Sequence, residues 1–338
     1  MISTINKINT LRKKSFQRLI TVTIILCIIV LVLSFLMLYI GNTIYPLDTI
    51  ISVLQGEDIR GASFTIMNLR LPRMFAGLLS GLAFGAAGYI FQTVLRNPLA
   101  SPDVIGVTSG SSLAAVVCIS VLHASAAITS STAIVLGISV TLIIYLLSNI
   151  GGYASSKLIL IGIGVQAMIS SLISYILLKV AVNDVSSSVR WLSGSLNSVQ
   201  SEMIILLAIV VIIFIPLILV KMRNLKILEL GEASAISLGI NPNRERLILV
   251  ILSVFLIAFA TATTGPIAFV AFLSGPISKR ISKSSSNILP SALVGAILVL
   301  LCDLIGQFAF ETKFPVGVIT GVIGAPYLIY LLIKQKGE

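Results

Sequence analysis

Residues 247–278 read LILVILSVFLIAFATATTGPIAFVAFLSGPIS, 32 positions without a charge. A membrane-crossing helix needs about 20 apolar residues, so the run is long for one crossing and short for two. Just past its midpoint stands Gly265-Pro266. Proline has no N–H to give the helix and crowds the preceding turn, so a helix is expected to break there. Whether the chain crosses once or twice here decides on which side of the membrane everything after it lies.

The rest of the chain has the composition of a membrane protein. Of 338 residues, 57% are hydrophobic and 10% charged, against about 25% charged in soluble domains. That excludes an ordinary soluble enzyme. Eight further apolar runs, at 19–40, 74–95, 104–122, 126–150, 158–178, 203–220, 288–310 and 316–333, are each expected to cross. Lys7, Arg12, Lys13, Lys14 and Arg18 precede the first of them. That first run is too long for a signal-peptide core and no small-x-small cleavage site follows, so it reads as a retained span behind a basic N-terminus, residues 1–18.

Charge placement resolves residues 247–278. With the N-terminus in the cytoplasm, segment 221–246, carrying Lys221, Arg223, Lys226, Arg244 and Arg246, falls inside after six spans. A single crossing would strand Lys279, Arg280, Lys283, Lys334 and Lys336 outside, whereas two crossings split at Gly265-Pro266 return all five. Of 23 basic residues, six then lie outside (Arg60, Arg70, Arg73, Lys179, Arg190 and Lys313), leaving 17 inside, as the positive-inside rule asks. The net charge of +11 therefore reads as a topology signal and not as a nucleic-acid footprint. The expectation is an all-α polytopic membrane protein of ten transmembrane helices. Residues 19–338 form one domain, both termini are cytoplasmic, and the short eighth helix sits behind others or ends in irregular backbone.

Few side chains offer chemistry. Cys27, Cys118 and Cys302 lie far apart in apolar runs, with no metal or disulfide pattern. The single histidine, His123, is interfacial, and no HExxH, paired aspartates or serine with a base is present, so no catalytic residue and no metal site is expected. Gly151-Gly-Tyr-Ala-Ser-Ser-Lys157 has Ser156 where a phosphate loop needs its second glycine, so no nucleotide site of the chain's own is read there. Gly77, Gly81, Gly85 and Gly88 line one face of the second span and read as a close helix contact. Asp303 is an acid deep in a span, either functional or held by hydrogen bonds. Gln92, Gln166, Ser170, Ser174 and Thr320 suit either a path for a large polar cargo or interhelical hydrogen bonds. Arg70 and Arg73, flanking Leu71-Pro72, either snorkel to the interface or present guanidinium groups to carboxylates of a soluble partner.

Seven segments in order complete the reading. They are Leu69-Arg-Leu-Pro-Arg73; Arg96-Asn-Pro-Leu-Ala-Ser-Pro-Asp103 after Gln92; Gly106-Val-Thr-Ser-Gly110; Trp191-Leu-Ser-Gly-Ser195; Leu230-Gly-Glu-Ala-Ser-Ala-Ile-Ser-Leu-Gly239; Gly265-Pro-Ile-Ala-Phe-Val270; and Phe314-Pro-Val-Gly-Val-Ile-Thr-Gly-Val-Ile-Gly-Ala-Pro326. Over residues 18–333 the chain resembles the type II ABC importer permeases of the FecCD/BtuC kind, which carry iron-siderophore complexes, haem or cobalamin.

The resemblance implies a transport subunit and not an enzyme, with no cofactor of its own, since ATP and Mg are used by the partner. It implies two permease subunits around a central path in a bacterial inner or plasma membrane, a cytoplasmic ATPase dimer, and an extracellular or periplasmic siderophore-binding protein. Arg70 and Arg73 match the arginines that dock the binding protein; a further family arginine is Gln307 here, with Lys313 as a nearby substitute. Segment 228–241 matches the coupling helices, with Leu230, Gly231, Glu232, Ala235, Leu238 and Gly239 facing the ATPase. Ser155 and Ser156 fall at the cytoplasmic gate, and the fifth and tenth helices, with Gln166, Ser170, Ser174 and Thr320, line the path. Phe272-Leu-Ser-Gly-Pro276 replaces the Pro-His pair of many members. That variant is similar to the second permease of ferric hydroxamate (ferrichrome) systems, which pairs with a non-identical sister; a heterodimer is favoured over a homodimer. Haem or cobalamin as cargo, and an ion-coupled secondary transporter built on Asp303, are the alternatives.

Overall fold

The computed structural model describes residues 2–149, 155–197, 199–282 and 287–335. Among them the regular structure is helical throughout, with no strand. The basic N-terminus and the first apolar run form one helix, α1 (Ile2–Tyr39). Its buried positions among the described residues are the stripe Val22, Leu26, Val30, Leu33 and Met37, at steps of three and four residues, and Leu38 beside it; most of the rest of the apolar run is exposed or partly so, as befits a helix against lipid. The segment after it holds the short α2 (Leu47–Leu54) and α3 (Ala62–Phe64). A π-helical stretch, Thr65–Arg70, then runs into α4 (Leu71–Val94). The second helix thus begins well before the expected residue 74.

The third expected span is divided. A 3₁₀ turn over Pro102–Ile105 is followed by Gly106 at φ 82 and only then by α5 (Val107–Ser120), so this helix is 14 residues long. α6 (Ala126–Asn149) and α7 (Ser155–Lys179) follow, and α8 (Val182–Leu192) packs on α5, where Ser188 and Ser120 share a hydrogen bond. α9 (Ser201–Glu229) continues nine residues past position 220. The expected loop 221–246 is therefore mostly helix, and the true connection is residues 230–241 around the six-residue α10 (Glu232–Ser237).

The run at 247–278 breaks where the sequence breaks. α11 (Pro242–Thr264) is stopped by Gly265 at φ 73, and α12 (Val270–Ser282) starts only after an irregular stretch in which Phe269 also has a positive φ. α12 packs on α4 and α13 (Ile288–Phe308), so its irregular start is covered by protein, as a break at membrane depth requires. α14 (Val316–Gln335) ends the described chain. Among the described residues seven helices are long and apolar enough to cross a bilayer, and the helices Val107–Ser120 and Val316–Leu331 are shorter apolar ones.

α4 is the axis of the bundle, buried from Ala83 to Val94 on every side. Its glycines explain how. A Cβ on Gly81 would lie 2.5 Å from Cα of Ala296, and one on Gly85 would lie 2.4 Å from the carbonyl oxygen of Ser291. A Cβ on Gly88 would run into the carbonyl of Ala271 on α12, at 1.8 Å. The glycine face is a backbone-to-backbone contact, which dispersion and close packing favour where lipid supplies no hydrophobic drive.

Candidate functional site

Polar groups gather at three levels of the bundle. At the α8 end a cavity of about 600 Å³ is lined by Arg70, Arg73, Arg190, Asn197, Gln307 and Lys313 among others. The antiparallel register of α4 and α13 builds its floor. Gly85 meets Ala292, Gly81 meets Ala296 and Gly77 meets Leu300, and one further turn brings Arg73 level with Asp303. Arg73 grips that carboxylate with two prongs, Nε to Oδ2 at 2.8 Å and Nη2 to Oδ1 at 2.7 Å. Gln307 Nε2 donates to Oδ2 at 2.8 Å, and the remaining Arg73 Nη1 donates to Asn197 Oδ1. Asp303 is 0% exposed; a carboxylate there would cost several kcal/mol without these donors.

Arg70 differs from the expectation of an exposed guanidinium. It is 8% exposed and donates to the carbonyls of Leu38 at 2.6 Å, Tyr39 at 3.1 Å and Thr43. The carbonyls of Leu38 and Tyr39 are ones that the end of α1 leaves open, that of Thr43 belongs to the bend after it, and the guanidinium supplies donors to all three. The ring of Tyr45 closes the other side at 5.2 Å. Gly41 lies against it: a Cβ there would sit 2.1 Å from Arg70 Nη2, so a larger residue would push the guanidinium aside. The open cationic surface of the cavity comes instead from Lys313, whose Nζ reaches Asn42 Oδ1 at 3.4 Å, and from Arg190, which makes no ion pair among the described residues. In the sequence Arg190 is legible only as one of the six basic residues expected outside, just before Trp191-Leu-Ser-Gly, and not as a docking residue.

At mid-height a second cavity, about 500 Å³, opens between α5, α7 and the stretch 266–268. Gln166, Ser170 and Ser174, spaced four residues apart on one face of α7, line one wall. Thr108, Ser109 and Ser112 of α5 line another, and Asp103 stands at the 3₁₀ turn between α4 and α5. In the sequence Asp103, Thr108 and Ser109 are legible only as motif letters, and nothing there marks Ser112. The other expected path residues are elsewhere. Thr320 is buried and donates to the carbonyl of Gly317 within α14. Gln92 is buried and donates to the carbonyl of Phe272 at 2.9 Å, tying α4 to α12. Ser156 is exposed at the start of α7; the side chain of Ser155, residues 151–154 and the basic positions Lys283 and Lys336 lie outside the described residues.

The α10 end is apolar and braced by charge. Leu230 is 69% exposed, and Ile236 and Leu238 are also exposed, while Ala235 is buried beneath them. Gly231 at φ 118 and Gly239 at φ 78 turn the chain into and out of α10, conformations that side-chain-bearing residues adopt at a cost. Glu232 pairs with Arg246 of α11, Lys221 of α9 pairs with Glu245 at 3.0 Å, and Arg96 Nη2 donates to the carbonyl of Leu228 at 2.7 Å. The basic N-terminal helix ends up here as well, with Arg18 Nη2 on the carbonyl of Ile281 at 3.4 Å. Among the described residues no three His, Cys, Asp or Glu side chains are placed to hold a metal ion.

An all-helical bundle with no assembled catalytic group, a hydroxylated flank and an apolar knob at one end is the form of a transport permease. Residues 26–334 match the FecCD transport family, and the chain belongs to it. It is 34% identical over 298 residues, 88% of this chain and 90% of the relative, to the ferric enterobactin transport system permease protein FepG of Escherichia coli. It is 35% identical to the Fe(3+)-citrate import system permease protein YfmE of Bacillus subtilis, covering 96% and 97%. To the iron(3+)-hydroxamate import system permease protein FhuG of the same organism it is 33% identical, covering 91% and 95%. A solved metal-chelate type ABC transporter in an inward-facing conformation superposes with a TM-score of 0.83 at 25% identity, covering 93% of this chain and 99% of that one. The fold is thus that of a type II ABC importer permease, and the chain is a multi-pass membrane transport subunit, not an enzyme.

Proposed function

We propose that this chain is one of two permease subunits of an ATP-driven importer for iron(III)-siderophore complexes, with ferric hydroxamates of the ferrichrome type as cargo. The observation that carries the reading is the mid-height cavity: six neutral hydroxyl and amide side chains on α5 and α7 face a space open at the bundle's flank. A second permease placed against that flank would complete a path wide enough for a hydrated chelate. Its polar lining offers many weak hydrogen bonds and no trap, which suits a cargo that must leave again. The relatives are named for enterobactin, citrate and hydroxamate chelates of iron, so the iron chelate is what they share. The choice of hydroxamate rests on the resemblance of Phe272-Leu-Ser-Gly-Pro276 to the second ferrichrome permease.

In this reading the α10 end faces the cytoplasm and the α8 end faces outward, with ten crossings between. The grouping of Arg18, Lys221, Arg246, Lys279 and α10 at one end supports it. Leu230, Ile236 and Leu238 enter a groove of the ATPase dimer, and Gly231, Glu232, Ala235 and Gly239 hold them in shape. Lys313, Arg190 and the partly covered Arg73 present positive charge to carboxylates of the binding protein, with Arg70 bracing the rim from below. ATP binding and hydrolysis in the partner shifts the balance between outward-open and inward-open states through contacts that differ between them. No cargo bond is made or broken.

The test is uptake of radioactive iron from ferrichrome, ferric citrate and ferric enterobactin in cells with and without this gene. Ferrichrome uptake should vanish on deletion and should require ATP with the ion gradients collapsed. Loss of citrate or enterobactin uptake alone would overturn the hydroxamate assignment, and uptake that survives ATP depletion would overturn the ATP-driven class. Native mass measurement of the purified complex should show two permease masses; twice this chain's mass would mean a homodimer.

A further inference from the structure

We infer that the cavity where the ends of α6, α7 and α11 meet is a binding site for a phosphate-bearing anion, the headgroup of an anionic phospholipid. The inference is independent of the cargo and of the direction of transport. The space, about 320 Å³, is at the lower end of the range for small-ligand sites. Its polar wall is Tyr145 and Asn149 from the end of α6, with Asn241, Asn243, Arg244 and Arg246 around the start of α11. No aspartate or glutamate is among its described lining residues. Arg246 is 8% exposed and pairs with Glu232 of α10, so its charge is balanced. Arg244 is exposed and makes no ion pair among the described residues, which leaves the space one uncompensated positive charge. Asn241 Oδ1 accepts from Arg244 N at 3.2 Å, so the amide nitrogen of Asn241 is the part left to donate. A guanidinium set among amide and phenol donors, with no acid beside them, suits a singly charged phosphodiester.

The place of the cavity favours a lipid over a soluble phosphate. α6 and α11 are 24 and 23 residues long, about 35 Å at 1.5 Å per residue, against about 30 Å for the hydrocarbon core of a bilayer. Their end turns therefore reach the headgroup layer, and the cavity sits at those turns, since Asn149 ends α6 and Asn241 caps α11. Further along the helices the lining becomes apolar. Leu247 and Val250 stand in the second and third turns of α11, and Leu158 is the fourth residue of α7. Leu142 and Leu146, three residues before Tyr145 and Asn149 and so on the same side of α6, are 55% and 57% exposed. They give an acyl chain an apolar track away from the polar wall. Basic pockets between membrane helices hold anionic headgroups through this combination of charge and apolar surface.

The experiment uses the complete importer in detergent, titrated with phosphatidylglycerol, phosphatidylcholine or soluble glycerol phosphate, with bound molecules counted by native mass spectrometry. The wild type should retain phosphatidylglycerol in preference to phosphatidylcholine. Glycerol phosphate should displace it only at far higher concentration, because it lacks the acyl chains. Arg244→Gln should weaken one phosphatidylglycerol site at least about fivefold, the worth of one basic residue at a membrane surface. Asn243→Trp, which fills the cavity from an exposed edge and keeps both arginines, should remove the same site. Arg223→Gln takes an equal charge from an exposed position of α9 that does not line the cavity, and should leave the site unchanged. No preference for phosphatidylglycerol overturns the inference. Equal weakening by Arg244→Gln and Arg223→Gln also overturns it, because the attraction would then be diffuse. Displacement by glycerol phosphate at the concentration of the lipid would make the ligand a soluble phosphate and overturn the lipid. Loss of the ATPase from the Arg244→Gln complex would give Arg244 to a protein contact, with the same result. None of these outcomes bears on the transport reading, which stands or falls on uptake.

Discussion

Asp303 without Arg73 leaves a fully buried carboxylate without its two-pronged partner. Arg73→Met should therefore destabilise the protein by about 3–5 kcal/mol, read as a lower thermal unfolding midpoint in detergent. Arg73→Met combined with Asp303→Leu should recover most of that, because a paired burial replaced by apolar groups costs little. An Arg73→Met protein as stable as the wild type would show that Asp303 finds its donors elsewhere. Asp303 was legible in the sequence as an expensive residue in an apolar run. Its partner was not, since the two lie 230 residues apart and only the α4–α13 register brings them level. Arg70 and Arg73 read as one pair because they flank Leu71-Pro72, yet the π-helical stretch before α4 turns Arg70 back under the end of α1 while Arg73 faces α13.

The glycine stripe of α4 was legible as a contact, because the four-residue spacing already names a face, and α13 supplies the matching Gly295 and Ala296. A larger residue cannot be absorbed there, since the atoms in the way are backbone. Gly81→Leu should abolish recovery of monodisperse protein, whereas Gly164→Ala, at a position with nothing within 4 Å, should leave recovery unchanged. Equal recovery of the two would dissolve the argument for backbone contact. α10 calls for the opposite treatment. Leu230 and Leu238 are exposed, so Leu230→Glu and Leu238→Glu should fold normally. They should lose co-purification of the ATPase, and retention of the ATPase would remove α10 as the contact. The extent of the element is harder to read than its existence: the charges at 221–229 read as loop, but these residues continue α9 with Lys221 and Glu229 paired to α11 and α12.

Three separated motifs turn out to be one joint, and that joint decides the topology. A Cβ on Gly194 would lie 2.4 Å from the carbonyl oxygen of Pro266, one on Gly265 would lie 2.4 Å from that of Trp191, and one on Gly317 would lie 2.0 Å from that of Ser193. Ser195 N donates to the carbonyl of Thr264 at 2.7 Å, and Gly317 N to that of Gly194 at 3.2 Å. The break at Gly265-Pro266 is therefore held by the segment after α8 and by the start of α14. The backbone groups freed by the broken helix find partners there, which lets α11 and α12 run as separate helices. If each of the two crosses the membrane, the ends of α12 and α14 return to the side of α10. Single cysteines placed at the exposed positions 57, 183, 237 and 334, with Cys27, Cys118 and Cys302 replaced by alanine, test this in intact cells. An impermeant thiol reagent should label 57 and 183 at once, and 237 and 334 only after the membrane is opened. Labelling of 334 alongside a protected 237 would mean an odd number of crossings between them and would refute ten spans. Labelling of 237 and 334 with protection of 57 and 183 would invert the molecule, placing α10 and its apolar knob where no ATPase could reach it.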